Sequence, residues 1–270
     1  MLKNQRPIGI YDSGIGGLTV MKAVRALLPH EDIIYFGDTA HLPYGDKSTE
    51  AIQSYSIKIA NFLLSQECKV ILIACNSASA AAYNLLKEYV GSKAKVLNVI
   101  DPMVSLVAEH YTEKTLGLIG TKQTVNSNVY AKKINDLHQN ITLKSLATPL
   151  LAPMIEEGYA KKNAMSNVIN DYLSDKTLEG IEALILGCTH YPLIIEPIKE
   201  FYDNKVSILD SSEVVAKSLR GLLEMENILN MQEELGKSSF YVSDYTTSFE
   251  LTTQLFFGEK VNLQHYPLWE

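Results

Sequence analysis

Apolar positions along this chain fall into two alternating kinds of run. Short β-branched blocks, read as strands, cover Pro7–Tyr11, Glu31–Gly37 and Val70–Ala74. Between them the apolar residues recur at helical spacing. Leu18, Met21, Val24 and Leu28 form one such stripe, and Ile52, Tyr55, Ile59, Phe62 and Leu63 form another. Loops rich in glycine and proline separate the blocks, notably 12–17 and 41–45. Strands joined by helices of this length make parallel βαβ units, with helices on both faces of the sheet.

A second series repeats the order. Thr115–Gly120 reads as a strand ending at Thr121, and Thr142–Thr148 as the next. A loop over Pro149–Gly158 precedes a helix through Met165–Leu173, and a strand over Ile181–Leu186 leads to Cys188. Sixty-three positions separate Asp12 from Cys75, and 67 separate Thr121 from Cys188. Matching order and spacing predict an internal repeat, two α/β halves that each end a strand on a cysteine. Beyond them, Ser212–Glu224 reads as a helix. Phe240–Val242 and Val261–Leu263 read as late strands, with a helix near 249–256 between them. The expected fold is α/β, two similar doubly wound parallel-sheet domains of flavodoxin-like type. Residues 1–99 plus 213–270 form the first, 100–212 the second.

Composition narrows the function. Among 270 residues, 31 are acidic and 24 basic, for a net charge of −7, and 46% are hydrophobic. That balance argues against a nucleic-acid surface, which needs clustered lysine and arginine. No apolar run approaches the roughly 20 residues of a membrane helix, and the first residues lack a signal-peptide core. A cytoplasmic chain that engages neither membrane nor nucleic acid is expected. The three cysteines, Cys68, Cys75 and Cys188, form no CxxC pair. They read as free thiols rather than a disulfide framework or zinc site.

Cys75 stands at a strand-to-helix turn, followed by Asn76 and Ser77, which are good N-cap residues. Cys188 has the same setting, with Thr189 or His190 near a cap and Pro192 suited to a first helical turn. A helix start raises the thiolate fraction of such a thiol. A single free cysteine is usually a small buried hydrophobe, and Cys68 is read that way. Two cysteines in matching contexts point instead to paired chemistry, and their placement in different halves weakens a redox pair. The loop 12–17 offers backbone N–H groups to an anion or is a plain tight turn. It fails the dinucleotide fingerprint, because Thr19 stands where the third glycine belongs. Asp12 can cap that turn or face a substrate amine. Tyr44 is either a packed aromatic or part of a ligand lid in which Gly45 donates its N–H. Glu156 reads as a surface charge.

Four segments together resemble the glutamate racemase family. They are Asp12-Ser-Gly-Ile-Gly-Gly17, Pro43-Tyr-Gly45, Ala74-Cys-Asn-Ser-Ala-Ser79 and Gly187-Cys-Thr-His-Tyr-Pro192. Ser77 stands where the family usually carries threonine, a change that keeps the hydroxyl. The resemblance implies a two-domain enzyme with the active site in the cleft between the halves, and catalytic roles for Cys75 and Cys188, with Asp12, Glu156 and His190 as auxiliary acid–base groups. It implies substrate contacts from Asp12, Ser13, Tyr44, Gly45, Asn76, Ser77, Thr189 and His190. It further implies glutamate as the small-molecule substrate, supply of D-glutamate to peptidoglycan, no pyridoxal phosphate or other cofactor, no metal, and a homodimer. Two alternatives stay open: racemisation of aspartate or a hydantoin, and a non-catalytic anion-binding protein.

Overall fold

The computed structural model describes residues 2–270, the side chains of Ser248 and Leu251 apart. The first series runs β1 (Ile8–Asp12), α1 (Leu18–Leu27), β2 (Ile33–Gly37), α2 (Thr49–Ser65), β3 (Val70–Ile73), α3 (Asn76–Val90), β4 (Lys95–Asn98) and α4 (Ile100–His110). The second runs β5 (Thr115–Gly120), α5 (Lys122–Asn126), α6 (Val129–Asn135), β6 (Thr142–Ala147), α7 (Leu151–Glu156), α8 (Asn163–Leu173), β7 (Ala183–Gly187), α9 (Ile195–Phe201) and β8 (Ser207–Leu209). The chain then adds α10 (Ser211–Met225), β9 (Ser238–Val242), α11 (Thr247–Phe257) and β10 (Leu263–His265).

Two all-parallel sheets result, ordered β10-β9-β2-β1-β3-β4 and β6-β5-β7-β8. The order 2-1-3-4 in the first recurs as 6-5-7-8 in the second. The expected repeat is therefore present as topology. Both sheets are covered on two faces, so their central strands are apolar without alternation. In β3, Val70 and Leu72 join the core cluster that continues into the second sheet, while Ile71 and Ile73 join a separate cluster on the opposite face. All four are fully buried.

Two expectations are corrected. The stretch 149–158 is not all loop, because 151–156 forms α7. Leu151 and Ile155 sit one turn apart and are buried, and Pro153 lies in the first turn, where its missing N–H leaves no bond unmade. The last strand lies at Leu263–His265 rather than 261–263. Val261 is buried ahead of the strand, while Gln264 and His265 are exposed on the sheet's edge. Apolar pattern marks core packing there, not ladder pairing. The short edge strands β4 and β8 stand out in neither pattern, since an edge buries less of each residue.

A buried ion pair ties the N-terminal edge of the first sheet together. Nζ of Lys69 lies 2.5 Å from Oε2 of Glu31, both side chains being almost wholly buried, and also donates to the Asn4 carbonyl at 2.6 Å. The other oxygen of Glu31 accepts from the Asn230 N–H at 2.8 Å. Removing one member strands a buried charge, so Glu31→Gln should cost about 3–5 kcal/mol. The Glu31→Gln/Lys69→Met double variant should cost less than the two single changes summed. Urea unfolding of the three variants measures both.

Candidate active site

In a doubly wound sheet, ligands settle outside the carboxyl ends of the strands where the strand order reverses. In the first sheet that point lies between β1 and β3. Asp12 ends β1, and Cys75 follows β3. In the second it lies between β5 and β7, where Thr121 and Cys188 follow. The two switch points face each other across one enclosed cavity. It is lined by Ser13, Pro43, Tyr44, Gly45, Cys75, Asn76, Ser77, Thr121, Ala152, Glu156, Gly187, Cys188, Thr189 and His190. Ten residues singled out from sequence are in that wall. Asp12 is the exception: it lies fully buried behind the wall, with Oδ2 accepting from the Gly14 N–H at 3.1 Å. It thus caps the glycine turn, whose Gly14 and Gly17 N–H groups both act on its carboxylate.

The two thiols have different surroundings. Cys75 is itself the N-cap of α3, in place of Asn76 or Ser77. Its Sγ accepts from the Ala78 N–H at 3.4 Å and donates to Oγ of Ser13 at 3.7 Å. The expected gain in thiolate is overridden. Burial, reinforced by the Asp12 carboxylate, pushes this thiol up to about 12, against the lowering by Ala78 and Ser13. Cys188 lies 3.6 Å from Nδ1 of His190, whose Nε2 is 2.8 Å from Oε1 of Glu156. His190 occupies the cap position of a short 3-10 turn, Tyr191–Ile194, yet makes no side-chain cap bond, and Pro192 sits in the first turn as expected. Burial works against charge on the imidazole. Cys188 and Glu156 outweigh it and hold the ring well above its ordinary 6.5. Glu156 is therefore part of the site and not a surface charge. Cys68, at the far end of β3, is a buried apolar thiol, with burial raising it to about 12.

Close approach explains the glycines. A Cβ on Gly16 would come within 2.3 Å of the His190 ring and 2.6 Å of Oγ1 of Thr189. A Cβ on Gly45 would come within 2.8 Å of Thr121. In both cases a loop of the first sheet meets a residue of the second. Thr19 crosses the same seam, its hydroxyl donating to the Thr189 carbonyl at 3.0 Å. So does Ser77, whose Oγ is 2.8 Å from Oγ1 of Thr121. Tyr130 donates to Oδ1 of Asn76 at 2.9 Å, while the buried amide Nδ2 of Asn76, a residue of the cavity wall, has no partner among the described residues. Thr121 and Ala152 are site residues that sequence reasoning did not assign. Thr121 stands one residue past β5 as Ser13 stands one past β1, level with Cys188 as Ser13 is with Cys75, a signal that could have found it.

A sequence model of the Asp/Glu/Hydantoin racemase family matches residues 18–219. The chain belongs to that family. Among its racemase relatives, the glutamate racemase of Geobacter metallireducens is 38% identical over 256 residues, covering 95% of this chain and 94% of that one. The glutamate racemase of Chlorobium phaeobacteroides is 40% identical over 252 residues, covering 93% and 92%. The crystal structure of glutamate racemase from Francisella tularensis in complex with D-glutamate superposes with a TM-score of 0.92 at 41% identity, covering 98% and 99%. An aspartate racemase from Picrophilus torridus, at 21% identity and TM-score 0.57, shares the fold.

Among the described residues, no group of three or more histidine, cysteine or acidic side chains could hold a metal ion, and no helix is long and apolar enough to cross a membrane.

Two outcomes follow for this racemase-family site. The Cys75 proton is held far more tightly in the folded chain than at the ordinary thiol value of 9.0. Stability from that protonated thiol is intact below the ordinary value and is lost as pH rises through the folded value of about 12. Denaturation midpoints of the wild type should therefore fall more steeply above pH 9.0 than those of Cys75→Ala. Gly16→Ala should drive His190 from its place, and a displacement of about 1 Å costs on the order of 100-fold in rate. Racemisation assays paired with thermal melts check that turnover falls while the fold persists.

Proposed function

We propose that this chain interconverts L- and D-glutamate by proton transfer at Cα between Cys75 and Cys188. The observation that carries the reading is one enclosed cavity with a cysteine from each sheet in its wall. Inverting a stereocentre requires a base on one face and an acid on the other. One thiolate takes the Cα proton, and the opposite thiol gives its own proton to the other face of the carbanion. The next turnover in the reverse direction exchanges the roles. Relatives and superposed structures named as glutamate racemases, at up to 41% identity, support glutamate over aspartate.

The partners then divide the work. On the Cys188 side, Glu156 holds the His190 imidazolium, which can give a proton to the sulfur or receive one from it. On the Cys75 side, the Ser13 hydroxyl accepts from the sulfur, and the buried Asp12 carboxylate acts on it from behind the cavity wall. The amide of Asn76, the hydroxyls of Ser77, Thr121 and Thr189, and the Gly45 N–H suit carboxylate oxygens. Fixed donors of this kind stabilise the developing negative charge without reorganising.

The cavity has a volume of about 30 Å³, far below the roughly 300–1,000 Å³ typical of small-molecule sites. We read this narrow cavity as a closed state, which glutamate enters as the two halves part and the Tyr44 loop moves. Closure excludes water from the carbanion. The halves that part are residues 1–99 plus 213–270 and residues 100–212. We assign the chain to the cytoplasm, as a homodimer that supplies D-glutamate for peptidoglycan and contacts neither nucleic acid nor membrane. Both proton carriers come from the chain, so the reaction needs neither pyridoxal phosphate nor metal.

Cys75→Ala and Cys188→Ala should each abolish racemisation, followed by circular dichroism from either enantiomer. Aspartate offered to the same preparation should turn over far more slowly. Near wild-type turnover by either variant removes the two-thiol mechanism, and preference for aspartate removes the substrate.

A further inference from the structure

The Tyr44 loop is fastened from outside the cavity. Asp38, fully buried just past β2, collects four donors. Its Oδ2 accepts from the Tyr44 hydroxyl at 2.7 Å and lies 3.0 Å from Nδ1 of His41. Its Oδ1 accepts from Oγ of Ser243 at 2.7 Å and from Nε1 of Trp269 at 2.8 Å. A carboxylate offers about four acceptor sites, so Asp38 has none left for a substrate. The Trp269 ring stands edge-on to His41 at 4.4 Å between centroids, and His41 stacks on Tyr55 of α2 at 4.0 Å. Nζ of Lys58, also on α2, lies 4.7 Å over the indole. The loop after β2, the loop after β9 and the stretch after β10 thus converge on one carboxylate. Tyr44 and Gly45 line the cavity, whereas Asp38 and Trp269 do not. Trp269 lies 50 positions beyond Leu219, where the family match ends.

We propose that Asp38 and Trp269 form a clasp that holds the Tyr44–Gly45 loop closed over Cys75, which makes both of them positioning residues of the cavity. The indole N–H fixes one carboxylate oxygen. The other oxygen fixes the Tyr44 phenol, and with it Gly45, which lines the cavity beside Tyr44. The kinetic consequence rests on the glutamate reading above, while the mechanical one does not.

Trp269→Phe keeps an aromatic ring against His41 while deleting the N–H donor and narrowing the face under Lys58. Peptide-resolved iodoacetamide labelling of the intact chain reads the clasp directly. Labelling of Cys75 should accelerate by about tenfold, the factor that one hydrogen bond to a charged group is worth. Cys68, at the opposite end of β3, should label at an unchanged rate. In turnover, KM for glutamate should rise while kcat stays close to the wild type. Asp38→Asn should give the same selective acceleration at Cys75. Since Trp269 is the chain's single tryptophan, its emission should shift to the red in that variant. Unchanged Cys75 labelling in both variants overturns the clasp, and so does acceleration of Cys75 and Cys68 in step, which marks general loosening. If the wild type leaves glutamate untouched, the functional reading fails and the labelling still decides the clasp.

Discussion

The site depends on one contact, the loop after β1 lying against the His190 ring with only a glycine's backbone between them. Gly16 leaves no room for a side chain there. That contact brings two sheet edges, built separately by the two series of strands, to a common cavity. Thr19 on Thr189 and Ser77 on Thr121 hold the same seam by hydrogen bonds. These bonds are short in space and long in sequence, so they form only once both sheets exist. The geometry of the cavity is thus a property of the seam and of neither sheet alone.

Across the seam the electrostatics differ. On one side a buried thiol sits against a buried carboxylate, and both desolvation and charge keep its proton on. On the other a sulfur meets an imidazole whose far nitrogen is held by Glu156. Asp12 itself is driven above its usual range by burial, partly countered by His190 and by the N–H groups of its own turn. The repeat supplies matched positions for the two cysteines. Each half has filled the surrounding positions with its own titratable neighbours.

Much of this was readable in sequence, for a reason that particular residues make clear. Cys75 and Cys188 were legible because a buried parallel strand and the turn after it leave a strong local pattern. Gly16 was legible as a turn residue, but its purpose was not, because its neighbour His190 lies in the other half. Glu156 needed the family resemblance, since α7 is short, carries a proline and looks like loop. The N-cap fell one residue earlier than expected because the thiol itself accepts the Ala78 N–H. The sign of the Cys75 shift was not legible at all: helix position is local, whereas burial is set by everything that packs around it. Asp38 left no mark, because three of its donors come from loops and one of those stands 231 positions away.

The unlike partners of the two cysteines carry a thermodynamic consequence. Two enantiomers in water have the same free energy, so the equilibrium constant of the proposed racemisation is unity. The Haldane relation then makes kcat/KM equal for the two directions, however unlike the flanks of Cys75 and Cys188 are. An aspartate on one face and a histidine–glutamate pair on the other can make kcat and KM differ between the two directions only in proportion. The asymmetry therefore governs which enantiomer is held longer, and never which one accumulates.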